Sequence, residues 1–92
     1  MRIRPILIAK LTEKLAPVRL DVIDDSARHA GHAGARPEGE THFRVTVVSE
    51  SFRGLDRVAR QRMVYAILAE ELAGGVHALS LSALTPEEDA GK

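Results

Sequence analysis

Between His42 and Leu84 the chain passes through a strand pattern, a helix pattern and a second strand pattern, an order that few folds can accommodate. In HFRVTVVS, residues 42–49, Phe43, Val45 and Val47 alternate with Arg44 and Thr46, the period of a strand with one buried face. From Asp56 to about Leu72 the apolar residues return at helical spacing, with Val58, Val64, Tyr65, Leu68 and Leu72 read as one buried stripe. HALSLSAL, residues 77–84, goes back to period two, with Leu79, Leu81 and Ala83 on one side. Strand, helix and strand in series make a β-α-β unit, whose two strands lie parallel through a right-handed crossover.

The boundaries of this unit are marked by residue chemistry. Gly54 is placed to take a turn conformation, and the Asp56 carboxylate can accept an otherwise unpaired amide of the helix's first turn. Gly74 and Gly75 end the helix, as a residue at positive φ requires. Upstream, Leu7, Ile8, Leu11 and Leu15 recur at helical spacing until Pro17 disfavours helix at Ala16. RLDVID, residues 19–24, alternates Leu20 and Val22 with charged neighbours as a short strand. The order α-β-β-α-β predicts an α+β domain, a three-stranded mixed sheet with its helices on one face. Arg44, Thr46, Ser80 and Ser82 suit the opposite, solvated face.

With 92 residues, 45% of them hydrophobic, the chain suffices for one domain with a small core, read as spanning 1–92. The ordered core is expected over about 4–84, with a flexible loop at 25–41 and a frayed polar tail, TPEEDAGK, at 85–92. There is no cysteine, which excludes disulfides and any thiolate metal site built from this chain alone. The formal net charge is zero, which argues against non-specific binding of nucleic acid by the whole molecule. No apolar run approaches the ~20 residues of a membrane span. The start MRIRPILIAKL lacks a small-residue cleavage site and runs into an amphipathic pattern, so it reads as structure, and a cytoplasmic protein is expected.

Two groups of side chains carry chemistry. Three of the four histidines, His29, His32 and His42, fall in the Gly-rich stretch DSARHAGHAGARPEGETHF, and the fourth is His77. Imidazole suits iron, so these histidines are candidate metal ligands. The residues alone leave an alternative open, with His77 hydrogen-bonded to backbone at a strand entry and His29 and His32 simply solvated. The second group is Arg53, Arg57, Arg60 and Arg62, around the start of the long helix. Cations there oppose the helix dipole, so helix stability does not account for them. They pair either with Asp56 or Glu50, or with an anion such as a partner's carboxylate or a nucleic-acid phosphate. Ser49, Ser51, Asp24 and Asp25 lack any nucleophile signature, so neither an enzyme nor a small-molecule substrate is expected.

The blocks VIDDS (22–26), HAGHAG (29–34), ETHFRVTVVSESFRG (40–54), RVARQRMVYAILAEEL (57–72) and VHALSLSALTPEE (76–88) together resemble the BolA family. The resemblance covers roughly Leu11 to Pro86 and implies a fold like a class II KH domain. It also implies partnership with a monothiol glutaredoxin and a bridging 2Fe-2S cluster completed by glutathione, in iron–sulfur maturation or iron regulation. His77, in V-H-A-L, then resembles one cluster ligand. His29 or His32 takes the loop-ligand role, with His29 slightly ahead for its distance after DDS. His42 is a structural histidine held in reserve.

The sequence departs from the family pattern in two places. Where members often carry R-H-R, this chain has Arg60-Gln61-Arg62, and its loop is longer than in short-loop members. Some relatives are described as transcriptional regulators, which gives an alternative reading: duplex DNA held by the arginine-bearing helix. KH-type RNA binding needs a GXXG loop, and here the turn reads Gly54-Leu55-Asp56-Arg57.

Overall fold

The computed structural model describes residues 3–24, 42–76 and 78–91. Helix α1 (Ile3–Leu15) leads into strand β1 (Arg19–Asp24). Strand β2 (His42–Val48) is followed by a single 3-10 turn at Glu50–Phe52, then by helices α2 (Arg57–Ile67) and α3 (Ala69–Gly74). Strand β3 (Ala78–Leu84) and a short helix α4 (Pro86–Ala90) complete the described chain. The sheet order is β1-β2-β3, antiparallel between β1 and β2 and parallel between β2 and β3. This is the mixed α+β sheet that the order of patterns predicts.

The register aligns the apolar residues of all three strands. Val22 stands opposite Val45, which stands opposite Leu81; Leu20, Val47 and Ala83 form the next row. Side chains alternate along a strand, so these rows share one face. They meet Leu7, Leu11 and Leu15 of α1, Phe52, Val64 of α2 and Leu68 in one buried cluster. Truncating such a fully buried Leu or Phe to Ala costs about 2–5 kcal/mol. The other face carries Arg44, Ser80 and Ser82, all exposed, and half-buried Thr46.

Two backbone positions explain how the helices end. Ala16, preceding Pro17, takes a positive φ of 43° while its amide still reaches the Thr12 carbonyl at 3.0 Å. Helical geometry at Ala16 would clash with the proline ring, so α1 stops one residue earlier. Gly75 lies at φ 148°, a value that glycine adopts without steric cost.

Three expectations change. Val58 is not part of the buried stripe; it is 53% exposed. At 100° per residue it lies about 120° around the helix from Val64, whereas Leu68 lies about 40° away. The helix from Asp56 to Leu72 is not continuous. It divides at buried Leu68 (φ −101°, ψ 17°), and Glu70 and Glu71 on the second piece pair with Lys10 of α1 at 3.0 and 2.8 Å.

The tail is not frayed at residues 86–90, which form α4. Thr85 accepts the Glu88 amide on its hydroxyl, the Glu88 carboxylate accepts the Thr85 amide, and Pro86 occupies the first turn. That reciprocal cap satisfies two amides at the helix start.

Candidate functional site

The parallel register of β2 and β3 gives the sheet two chemically different ends. At one end His42 opens β2 opposite Ala78, which opens β3, and Asp24 closes β1 opposite Phe43. The stretch 25–41 therefore leaves and rejoins the sheet at this end, where β3 also starts. Val76, the last residue described before β3, is anchored in the core at 6% exposure. His42 is half-buried. The candidate ligands His29, His32 and His77 lie outside the described residues, and among the described residues no group of three metal-binding side chains occurs.

At the opposite end, where β2 finishes at Val48 and β3 at Leu84, the chain closes on itself. Buried Ser49 donates its hydroxyl to the Leu15 carbonyl at 2.6 Å and accepts the Ser51 amide at 3.1 Å. Its own amide reaches the Leu84 carbonyl at 2.9 Å. Ser49 thus ties the end of α1 to both strands, and its oxygen is engaged rather than poised as a nucleophile. Asp56 caps α2 by accepting the Ala59 amide at 2.8 Å, and Gly54 takes φ 81° in the turn before it. A side chain at Gly54 would meet open space, so it is the backbone angle that calls for glycine there.

The four arginines divide into two pairs. Arg60 is largely buried, its side chain 14% exposed. It donates to the Leu55 carbonyl at 2.9 Å, the Ala83 carbonyl at 3.1 Å and Glu88 at 2.6 Å, with its guanidinium 5.9 Å from the centre of the Phe52 ring. Arg53 pairs with Glu50 at 2.5 Å and Glu87 at 2.6 Å. Arg57 and Arg62 are exposed and have no ion pair among the described residues. Arg53 and Arg60 thus bond α4 and the strand end, while Arg57 and Arg62 carry no ion pair among the described residues.

Arg19 of β1 completes the clasp, pairing with Asp89 at 2.6 Å and also with Asp21. Three successive acidic residues of α4 are thus each held by a different arginine. Hydrogen bonds from Arg60 and from the Thr85 amide hold the Glu88 carboxyl down to about 2, and Arg53 lowers that of Glu87. Sequence reasoning passed over Arg19 and α4. The usable signal was Thr85-Pro86-Glu87-Glu88, the spacing of a capping box.

Helix α2 and the outer edge of β3 border a groove of about 720 Å³, with Arg57, Gln61 and Tyr65 on the helix wall. No described helix is long and apolar enough to cross a membrane.

The family model for "BolA-like protein" matches residues 11–88. Protein BOLA1, chloroplastic, from Arabidopsis thaliana is 49% identical over 85 residues, covering 90% of this chain and 53% of the relative. SufE-like protein 1, chloroplastic/mitochondrial, from the same plant is 48% identical over 92 residues, covering 96% of this chain and 24% of the relative. The chain thus spans about half or less of the length of these curated relatives. Among solved structures, BolA1 from Arabidopsis thaliana superposes with a TM-score of 0.84 at 41% identity, covering 96% of both chains. With a family match across most of its length and a shared fold, the chain belongs to the BolA-like protein family.

Proposed function

We propose that this chain is a non-enzymatic adaptor that binds a monothiol glutaredoxin and shares a bridging 2Fe-2S cluster with it, in cluster maturation and trafficking or in iron regulation. The observation that carries the reading is the register at one end of the sheet, where Asp24 faces Phe43 and His42 faces Ala78. The segment that bears His29 and His32 begins and ends there, and Ala78 follows His77 directly in the chain. In this reading His77 is one iron ligand and His29 or His32 the second, with the partner's cysteine and glutathione completing the shell. The cluster is cargo, held between two chains, and its thiolates suit a reducing compartment such as the cytoplasm. Arg57 and Arg62, the two uncommitted cations, face the partner. Duplex DNA is the weaker reading, since Arg53 and Arg60 hold α4.

The test mixes the protein with cluster-loaded monothiol glutaredoxin and glutathione and follows visible absorption and circular dichroism. Wild type reshapes the cluster spectrum, His77→Ala does not, and His29→Ala and His32→Ala identify the second ligand. Ligation needs neutral imidazole, so the effect fades as pH falls below the histidine reference value of about 6.5. A spectral change that survives removal of all four histidines rules out the ligand assignment. No change with wild type rules out the cluster reading itself.

A further inference from the structure

Strand β3 forms one edge of the sheet. The Leu84 carbonyl accepts the Ser49 amide, so Ser80, Ser82 and Leu84 turn their backbone groups toward β2. Leu79, Leu81 and Ala83 must then turn theirs outward, because backbone direction alternates along a strand. Two of these outward carbonyls are already capped from α2. Tyr65 donates its hydroxyl to Leu79 at 3.4 Å, and Arg60 donates to Ala83 at 3.1 Å. Between the caps, neither the amide nor the carbonyl of Leu81 has a partner among the described residues, and the amides of Leu79 and Ala83 have none either. A sheet edge with unpaired amides is a template for another strand.

The groove between this edge and α2 sets what could fit. An extended backbone offers acceptors and donors at the spacing of β3. A second copy of this chain pairing edge to edge would bring its own α2 against the first. A strand with no helix layered on it meets no such obstacle. Charge narrows the choice further. Asp56 is engaged by the Ala59 amide and Glu88 by Arg60, which leaves Arg57 as the uncommitted charge lining the groove.

We infer that the edge of β3 beneath α2 is a docking groove for a short extended segment of a partner polypeptide, which adds as a fourth strand across Leu81 and places a carboxylate on Arg57. The Leu81 amide and carbonyl, with the amides of Leu79 and Ala83 beside the two capped carbonyls, supply the affinity, and Arg57 sets the preference for an acidic segment. This docking does not depend on cluster sharing, and it is tested with neither cluster nor glutaredoxin present.

The probe is an acetylated hexapeptide alternating valine and glutamate, titrated into isotope-labelled full-length protein. Its controls are the valine–lysine analogue, the two isomers N-methylated at alternate residues, and octathymidylate. The glutamate peptide is expected to shift the amides of Leu79, Leu81 and Ala83 and slow their hydrogen exchange. One N-methylated isomer loses binding and the other keeps it. Arg57→Glu, which favours the helix N-terminus and so preserves the fold, weakens the glutamate peptide about tenfold and strengthens the lysine analogue. Leu81→Pro removes the central donor without touching the bonds to β2 and abolishes binding.

Three outcomes overturn the inference. The first is no response at these amides up to about 1 mM peptide, the weak end of specific affinity. The second is a response indifferent to both N-methylations. The third is tighter occupation of the same amides by octathymidylate, which makes the groove a nucleic-acid site instead.

Discussion

Arg60 and Arg57 lie one turn apart at the start of α2 and do opposite things. Arg60 points toward the end of the sheet, where its guanidinium fork joins two backbone carbonyls, a carboxylate and the face of Phe52. Arg57 is exposed and keeps its charge uncompensated among the described residues. Arg53 and Arg62 are both exposed and differ only in partners, Arg53 pairing with Glu50 and Glu87. A row of like charges along a chain is therefore not one surface. Arg57 and Arg60 share a helix face, and what separates them is reach: Arg53 and Arg60 meet carboxylates of α4, whereas Arg57 and Arg62 meet none among the described residues.

If that division holds, removing Arg60 produces the largest effect. Arg60→Met keeps much of the aliphatic length but loses the bonds to Leu55 and Ala83 and the contact with Phe52. A loss of about 1–2 kcal/mol is expected, in line with part-buried hydrogen bonds made by a charged group. Urea unfolding reads it as a lower midpoint at unchanged slope. Arg60→Lys should recover only part of the loss, because one ammonium cannot span two carbonyls and a carboxylate in a fixed plane. An Arg60→Met protein as stable as wild type would erase the contrast with Arg57.

The contrast among the arginines could not be read from sequence, although much of the frame around it could. The β2 alternation, the Asp56 cap and the Gly75 terminus are local signals, and all three appear in the structure. Helix α4 carries a local signal too, in Thr85 and Glu88, but a five-residue helix is marginal on its own in water. Arg19 and Arg53 reach it from 70 and 34 positions away, and no windowed pattern contains those pairs. Val58 fails for a different reason. Hydropathy groups it with Val64, but the helical angle between them puts the two on different faces, and Val58 is exposed. The histidine end is legible as chemistry in its residue types. The register that brings Asp24, His42 and Ala78 to one end emerges only once the strands pair.

The next effect is confined to α4 and is driven by acid. The Glu88 carboxyl sits at about 2 in the fold against an ordinary value of 4.5, mainly because Arg60 and the Thr85 amide bond its charged form. A depressed carboxyl contributes its stabilisation above the ordinary value and loses it as pH falls toward the folded one. The α4 clasp is thus complete at neutral pH and loosens between about pH 4.5 and 2, while the apolar core, which carries no titrating group, persists. Glu87 shifts in the same direction through Arg53. Protection of the Glu88 and Asp89 amides, their exchange measured against the intrinsic rate at each pH, should fall across that window before protection in β2 does. A Glu88 side-chain titration midpoint near 4.5 would show that Arg60 does not hold it in solution.

The smallest stability effect belongs to the free pair, and there the comparison turns from scaffold to surface. Arg57→Ala and Arg62→Ala remove side chains that contact water, so each should leave unfolding within about 0.5 kcal/mol of wild type. Their effect should appear only with a partner present. Exposed cations at an interface rim act chiefly on association rate and its salt dependence, so under the proposed pairing with a monothiol glutaredoxin both variants should bind it more slowly and with a shallower dependence on ionic strength. If either variant destabilises the fold as much as Arg60→Met, then Arg57 and Arg62 belong to the scaffold as well. If both bind as wild type does, the partner docks elsewhere, and the uncommitted charge on α2 answers to the groove beside β3 alone.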